Sequence, residues 1–364
     1  MRTLFTALVL GLLVLSILPA VLAVTTPGGE LNPDITVEKF APRVWLCGER
    51  VVTDDDVEPG RRTGTGDTMY ERINNYAFEG EQIQWTVLVM DKNKIDQNID
   101  VYATVGSTQG VGNDIEVNCL RGGEANFETC NARIEEEYVE WDSDLMDYFT
   151  CILTVETPAS MYGEYWITVE ATDGDGMSGA MAENEYWFLN PVVALSIDGD
   201  LTFENVRPGT DAYSSTVLVG NDADAGSGVL LDMFISGTDF YDSSSSGARC
   251  PDSNVLRLAN FRYFATNGAY SSLGDDENNA GGGVTVRDRD TEGYVNIEYG
   301  TGFNDPYTFY NNAEILQDAA VGGYYAANVL APGAEMALTF KLSLPEPCNG
   351  DFDTGSIYFW GEAI

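Results

Sequence analysis

The chain contains no histidine at all. Without an imidazole there is no histidine-dependent nucleophile triad, and most zinc hydrolase sites and the commonest general base near neutral pH are gone too. Lysine is almost as scarce: Lys39, Lys92, Lys94 and Lys341 are the only ones in 364 residues. Eighteen basic groups face 58 acidic ones, a formal net charge of −40. A surface of that sign repels nucleic acid phosphates and anionic lipids, which argues against both as partners. It attracts divalent cations, and it suits saline surroundings and an ion-binding surface layer equally. Asn-x-Ser/Thr sequons are missing, so N-linked sugar is not expected; the serines at 243–246 stay open to O-linked sugar. Amphipathic helices are missing as well, beyond one possible turn at 143–148.

What is present begins with an export layout. Arg2 precedes an apolar run at 8–18, Pro19 ends it, and Val21-Leu22-Ala23 offers a cleavage site. That order is the secretory one, and the run falls short of the ~20 apolar residues a membrane span needs. Cleavage near Ala23 leaves no second run of that length, so the mature chain is expected outside the cell without a membrane anchor.

Apolar residues then alternate with period two, which is the strand signature. Ile83, Trp85, Val87 and Val89 share one face; so do Tyr165, Ile167, Val169 and Ala171. Val229, Leu231, Met233 and Ile235 repeat the pattern, and so do Met336, Leu338, Phe340, Leu342 and Leu344. Thirty-eight glycines with Asn and Asp clusters punctuate these runs as turns. Many short strands between turns predict an all-β chain of two tandem β-sandwich domains, not a parallel sheet. Proline after Asn190 should stop a strand ending at Leu189, which places the boundary there. The predicted order is a signal peptide at 1–23, an extension at 24–42, a first sandwich at 43–190 and a second at 191–364. The serine run and the Asp-, Asn- and Gly-rich stretch at 271–283 read as surface loops.

Six cysteines in an exported chain read as disulfides. Cys250 and Cys348 are the only two in the second half and should pair. Cys47, Cys119, Cys130 and Cys151 allow three connectivities, of which Cys119–Cys130 with Cys47–Cys151 is favoured. A thiolate metal site lacks any CxxC.

Two resemblances attach to particular residues. Gly163-Glu164-Tyr165, then Ile167, Val169, Asp173 and Gly174, resembles the penultimate strand of immunoglobulin-like surface modules. That resemblance implies a tyrosine ring turned inward with its hydroxyl bonded to backbone. In the second half, the stretch 201–209 with its Pro-Gly turn is similar to the camelysin/TasA type of secreted fibre subunit. So are 216–221, ending at Asn221, the Pro-Gly at 332–333 before the strand at 336–344, and the last strand at 356–360. That resemblance implies a jelly-roll-like second domain and polymerisation by strand donation between copies, a mode in which main-chain hydrogen bonds supply affinity. The segment 31–40, with Ile35, Val37 and Phe40, is the candidate donor.

Chemistry has few footholds. Phe352-Asp353-Thr354-Gly355-Ser356 resembles an aspartic protease motif, but no second copy exists to share a proton and a turn explains it better. Scattered carboxylates single out no glycosidase pair. Asp173 with Asp175, Asp222 with Asp224, and Asp351 with Asp353 could each offer oxygens to calcium, or simply cap solvated turns. Tyr307, Phe309, Tyr310, Tyr324 and Tyr325 could stack on sugars or belong to core. The expectation is a non-enzymatic, cofactor-free subunit of an extracellular filament or surface layer, with copies of itself as partner; the alternative is a monomeric adhesin that binds glycans.

Overall fold

The computed structural model describes residues 33–53, 68–69, 74–95, 98–123, 125–131, 140–182, 184–244, 249–274, 289–300, 312–321 and 324–364. The export segment at 1–23 and Tyr307, Phe309 and Tyr310 lie outside these, as do residues 275–283 of the 271–283 stretch and the serines at 245 and 246. Residues 39–364 form one compact body and residues 1–38 a separate unit. No helix among the described residues is long and apolar enough to cross a membrane.

The fold is almost wholly β. In the first half the main strands are β1 (Arg43–Thr53), β2 (Gln82–Met90), β3 (Asp100–Gly106), β4 (Ile115–Arg121), β5 (Met146–Thr154), β6 (Gly163–Thr172) and β7 (Glu185–Leu189). They follow the order β1-β2-β5-β4-β3-β6-β7. β4 belongs to both layers: its first half pairs with β3, and Cys119 to Arg121 pair with β5. Sharing one bent strand lets the sheet fold over itself and enclose a core of Ile83, Trp85, Val87, Val101, Val169 and Leu189. Alternation along β2 and β6 puts these side chains inside, as period two requires. Tyr165 packs against that core, and its hydroxyl donates to the Ser160 carbonyl at 3.2 Å.

β2 departs from simple alternation. Leu88 and Met90, on its other face, are buried too. A five-residue helix, α1 (Phe127–Asn131), and the rings of Phe40, Trp45 and Tyr148 cover that face as a second small core.

These two faces decide the cysteine pairing. Cys119 sits directly opposite Cys151 across β4 and β5, both in the inner core, with Cα atoms 4.2 Å apart. Cys47 lies on the outer face, at a register shift in β1, and joins Cys130 of α1. The favoured pairing of Cys119 with Cys130 and Cys47 with Cys151 is therefore corrected. Each of those bonds would have to pass through a sheet.

The second half has two layers. One is β8 (Leu195–Asp198), β9 (Asp211–Asn221), β12 (Glu335–Ser343) and β11 (Phe261–Asn267), in the order β8-β9-β12-β11. The other centres on β10 (Leu231–Gly237), paired along its length with β13 (Ile357–Ala363). Leu231, Met233, Ile235, Leu338 and Phe340 fill the space between. Tyr76, Phe188 and half-buried Tyr186 join this second core although they belong to the first half. Polar contacts seal the same junction: Asp224 Oδ2 accepts from Tyr162 Oη (3.0 Å) and from the Val192 N–H (2.9 Å). Asn74 Nδ2 donates to the Gly228 carbonyl at 2.7 Å.

Asn221 ends β9 for a physical reason. It is buried, donates to the carbonyls of Val229 (2.9 Å) and Leu330 (2.8 Å), and accepts from the Ala223 N–H at 3.0 Å. Asn221→Ala strips three buried backbone groups of their partner, and the expected loss is about 2–3 kcal/mol, measured by chemical denaturation. A loss within error of zero would show that water replaces the amide.

Candidate functional site: a groove in the second sandwich

Among the described residues, an open groove of about 670 Å³ lies where the two layers of the second sandwich part. Its floor is core: Leu256, Phe261 and Leu342 are buried, with half-buried Phe240 and Leu344 beside them. Phe261 is packed by Phe240 at a centroid distance of 4.6 Å and by Phe203 at 5.9 Å. The volume falls within the range of ~300–1,000 Å³ usual for ligand pockets.

The two walls differ in how they are held. One runs from Cys348 to Phe352 and is fixed at several points. Cys348 is bonded to Cys250, and Arg249 and Asn349 exchange backbone hydrogen bonds of 2.9 and 2.8 Å. The Asp351 N–H donates to Asp242 Oδ2, and Asp353 accepts from the Ser243 N–H (3.0 Å) and Oγ (2.7 Å). The Ser243 hydroxyl, then its N–H, holds the Asp353 carboxyl below its ordinary value. Gly355, with a φ of +137°, turns the chain so close to Phe240 that a Cβ there would meet the ring at 2.7 Å.

The other wall runs from Leu201 to Pro208. Leu201, Phe203 and Val206 turn toward the core while Thr202, Glu204 and Asn205 face solvent. The alternation at 201–204 is that of an extended strand, yet the segment pairs with no strand. Its backbone groups from Leu201 to Val206 make no hydrogen bond among the described residues. Glu204 and Asp351 are the only charged side chains lining the groove.

The sequence-derived candidates fall elsewhere or serve local ends. Asp173 Oδ1 accepts from the N–H groups of Asp175 and Met177, and Asp175 pairs with Lys39 at 3.3 Å. Asp222 is exposed, and Asp224 is taken up at the junction. Asp351 and Asp353 belong to the groove wall. None of the three aspartate pairs joins a group of three or more potential metal ligands among the described residues. Asp353 meets Ser243 of a loop 110 residues earlier, not a second aspartate, and Thr354 beside it bridges to Tyr241. Ile35 and Val37 are 76% and 73% exposed in a stretch that forms no strand, contrary to the strand read at 34–38. Phe40 lies against the outer core, with Lys92 Nζ 4.9 Å from its ring centre. Tyr324 and Tyr325 are half-buried in a two-residue strand.

A second cluster was not read from the sequence. Lys341, 9% exposed on the outer face of β12, reaches Glu292 at 2.9 Å, Asp290 at 3.0 Å and Asp211 at 3.4 Å. Its ammonium lies 5.5 Å from the Tyr294 ring centre and 5.9 Å from that of Tyr213. The hydrogen bond to Glu292, then those with Asp290, raise its pKa despite the cost of burial. Burial pushes Asp290 up, but bonds from Lys341 and from the N–H groups of Tyr294 and Glu292 outweigh this and leave it low. Lys341 therefore pins the turn at 289–294 to the sheet.

No family model matches the chain, and no curated protein sequence does, so the camelysin/TasA resemblance rests on its short motifs alone. Several solved structures are similar in outline. The C-terminal domain of the Streptococcus agalactiae AgI/II polypeptide BspA is 10% identical over 89% of this chain and 97% of its own, with a TM-score of 0.31. A chaperone–tip adhesin complex of CFA/I fimbriae is 9% identical over 87% and 84%, at 0.23. The sialic acid binding region of the Streptococcus sanguinis SK1 adhesin, bound to 3'sLn, is 12% identical over 89% and 78%, at 0.21. Scores this low establish no shared topology beyond β-rich architecture.

Two outcomes are expected. Cys250→Ser with Cys348→Ser should cost about 2–4 kcal/mol in denaturant unfolding and loosen one groove wall only. Lys341→Met should cost about 1–3 kcal/mol, between the values for exposed and buried pairs. The lowered Asp290 gives stability that is present above an ordinary carboxylate pKa of ~3.9 and lost as pH falls through the folded value. The raised Lys341 gives stability that is present below its ordinary ~10.4 and lost as pH rises through the folded value. Thermal melts of wild type and variant should therefore differ most in the plateau between and converge in acid. A difference that persists unchanged at pH 2.5 would refute the ion cluster.

Proposed function

We propose that this chain is an extracellular surface adhesin, a binding module that holds a ligand in the groove between Leu201–Pro208 and Cys348–Phe352. The observation that carries this reading is the groove itself: half-buried phenylalanine and leucine side chains between two walls, one of them stapled by a disulfide. Leu201, Phe203, Phe240 and Phe352 stay half-buried along it with no strand laid over them, and apolar surface left so is otherwise a cost. Three disulfides and the strongly acidic composition suit a protein working outside the cell. No reaction is assigned to the groove, whose floor carries neither a nucleophile nor a base.

A second reading keeps the filament. Ile35 and Val37 are apolar, exposed and two residues apart, the spacing with which an added strand presents one face. Self-assembly would use that segment as donor.

Light scattering and negative-stain imaging of the secreted chain, with and without calcium, separate the two. The adhesin reading expects a monomer that binds immobilised matrix proteins or glycans and loses that binding in a folded Phe352→Asp variant. Regular filaments that vanish with Ile35→Asp and Val37→Asp would favour assembly. Binding indifferent to Phe352→Asp would remove the groove as the ligand site.

A further inference from the structure

The adhesin reading leaves the ligand's chemistry open, and three features of the groove narrow it. First, the floor is apolar throughout, built from phenylalanine and leucine with no tyrosine, tryptophan or amide side chain. A saccharide would take its hydrogen bonds from the walls and gain little from that floor, whereas the apolar side chains of a peptide match it. Second, the extended stretch from Leu201 to Glu204, which ends where Asn205 turns at a φ of +53°, has backbone donors and acceptors with no hydrogen bond among the described residues. In an extended segment whose side chains alternate in and out, those groups project sideways, along the strand's edges. Leu201, Phe203 and Glu204 all line the groove, so the segment runs along it. Third, the charged rim is of one sign, Glu204 on one wall and Asp351 on the other.

Resting on the adhesin reading, we infer that the groove takes an extended, positively charged peptide segment of a partner protein. The segment would add as a strand beside Leu201–Glu204, with alternate apolar side chains against half-buried Phe203, Phe240 and Phe352 and basic residues near Glu204 and Asp351. Main-chain hydrogen bonds would supply affinity, the pockets between phenylalanines would select side chains, and the acidic rim would set the sign of the charge. The chain's own segment at 34–38 is a poor fit, because Asp34 and Glu38 flank Ile35 and Val37 and would meet acids of like sign.

The test uses the full secreted chain and a random heptapeptide phage library, selected on wild type and counter-selected on folded Phe203→Glu protein. Groove-dependent sequences should carry net positive charge and alternating apolar residues. As synthetic peptides they should bind at least tenfold more weakly to the doubly substituted Glu204→Lys, Asp351→Lys protein, and more weakly still at raised salt. A glycan array and a synthetic peptide of residues 31–40 run in parallel. Acidic or groove-independent peptides would overturn the inference, as would a glycan or the 31–40 peptide bound in the groove instead. In the latter two cases the groove remains a binding site and only the ligand class falls. If Phe352→Asp abolishes no binding of any kind, the adhesin reading falls with it.

Discussion

A backbone amide or carbonyl has to find a partner, in a sheet, in a side chain or in water. Across most of this molecule the partner is a neighbouring strand, and the two sandwiches are closed by that rule. Asn221 shows how strictly it is kept: one buried side chain satisfies three main-chain groups where β9 ends and no strand can serve. The stretch from Leu201 to Val206 is where the rule is met by solvent. From Leu201 to Glu204 it has the alternation of a strand, lies against the core, and borders a groove beside it. The proposed function follows from that single unfinished edge, because an apolar floor beside an unpaired backbone is complementary to another extended chain.

The architecture around the edge explains why it stays open. Its opposite wall is held by the Cys250–Cys348 bond, by the paired backbones of Arg249 and Asn349, and by Ser243 on Asp353. A wall fixed at that many points cannot slide inward to close the groove. Farther off, Lys341 fixes the turn at 289–294 on the outer sheet face, and Tyr76 and Phe188 tie the two halves into one body. The groove is thus presented on a rigid support, which lowers the entropy cost of holding a ligand.

Much of this was legible as a pattern of period two. The alternation in β2, β6, β10 and β12 gave strands, faces and the all-β class, because side-chain direction in a strand depends only on parity. Parity also held the answer to the cysteines, had it been used. Cys151 shares its face with Phe149 and Leu153, whereas Cys47 shares one with Trp45, and the two faces belong to different cores. The groove was beyond reach for another reason: Phe203, Phe261 and Phe352 lie far apart in the chain and meet only through topology. The acidic pairs misled in the opposite direction, since an aspartate two residues before a backbone N–H looks the same whether it caps a turn or awaits a cation, and Asp173 caps a turn.

Amide hydrogen exchange on the free, full-length secreted chain measures the unfinished edge directly. The amides from Leu201 to Val206 should exchange orders of magnitude faster than those of β9 and β12, at rates close to an unprotected peptide. Protection of that stretch comparable to the neighbouring strands, in the absence of any ligand, would mean that its backbone is already partnered and that no strand-accepting edge exists.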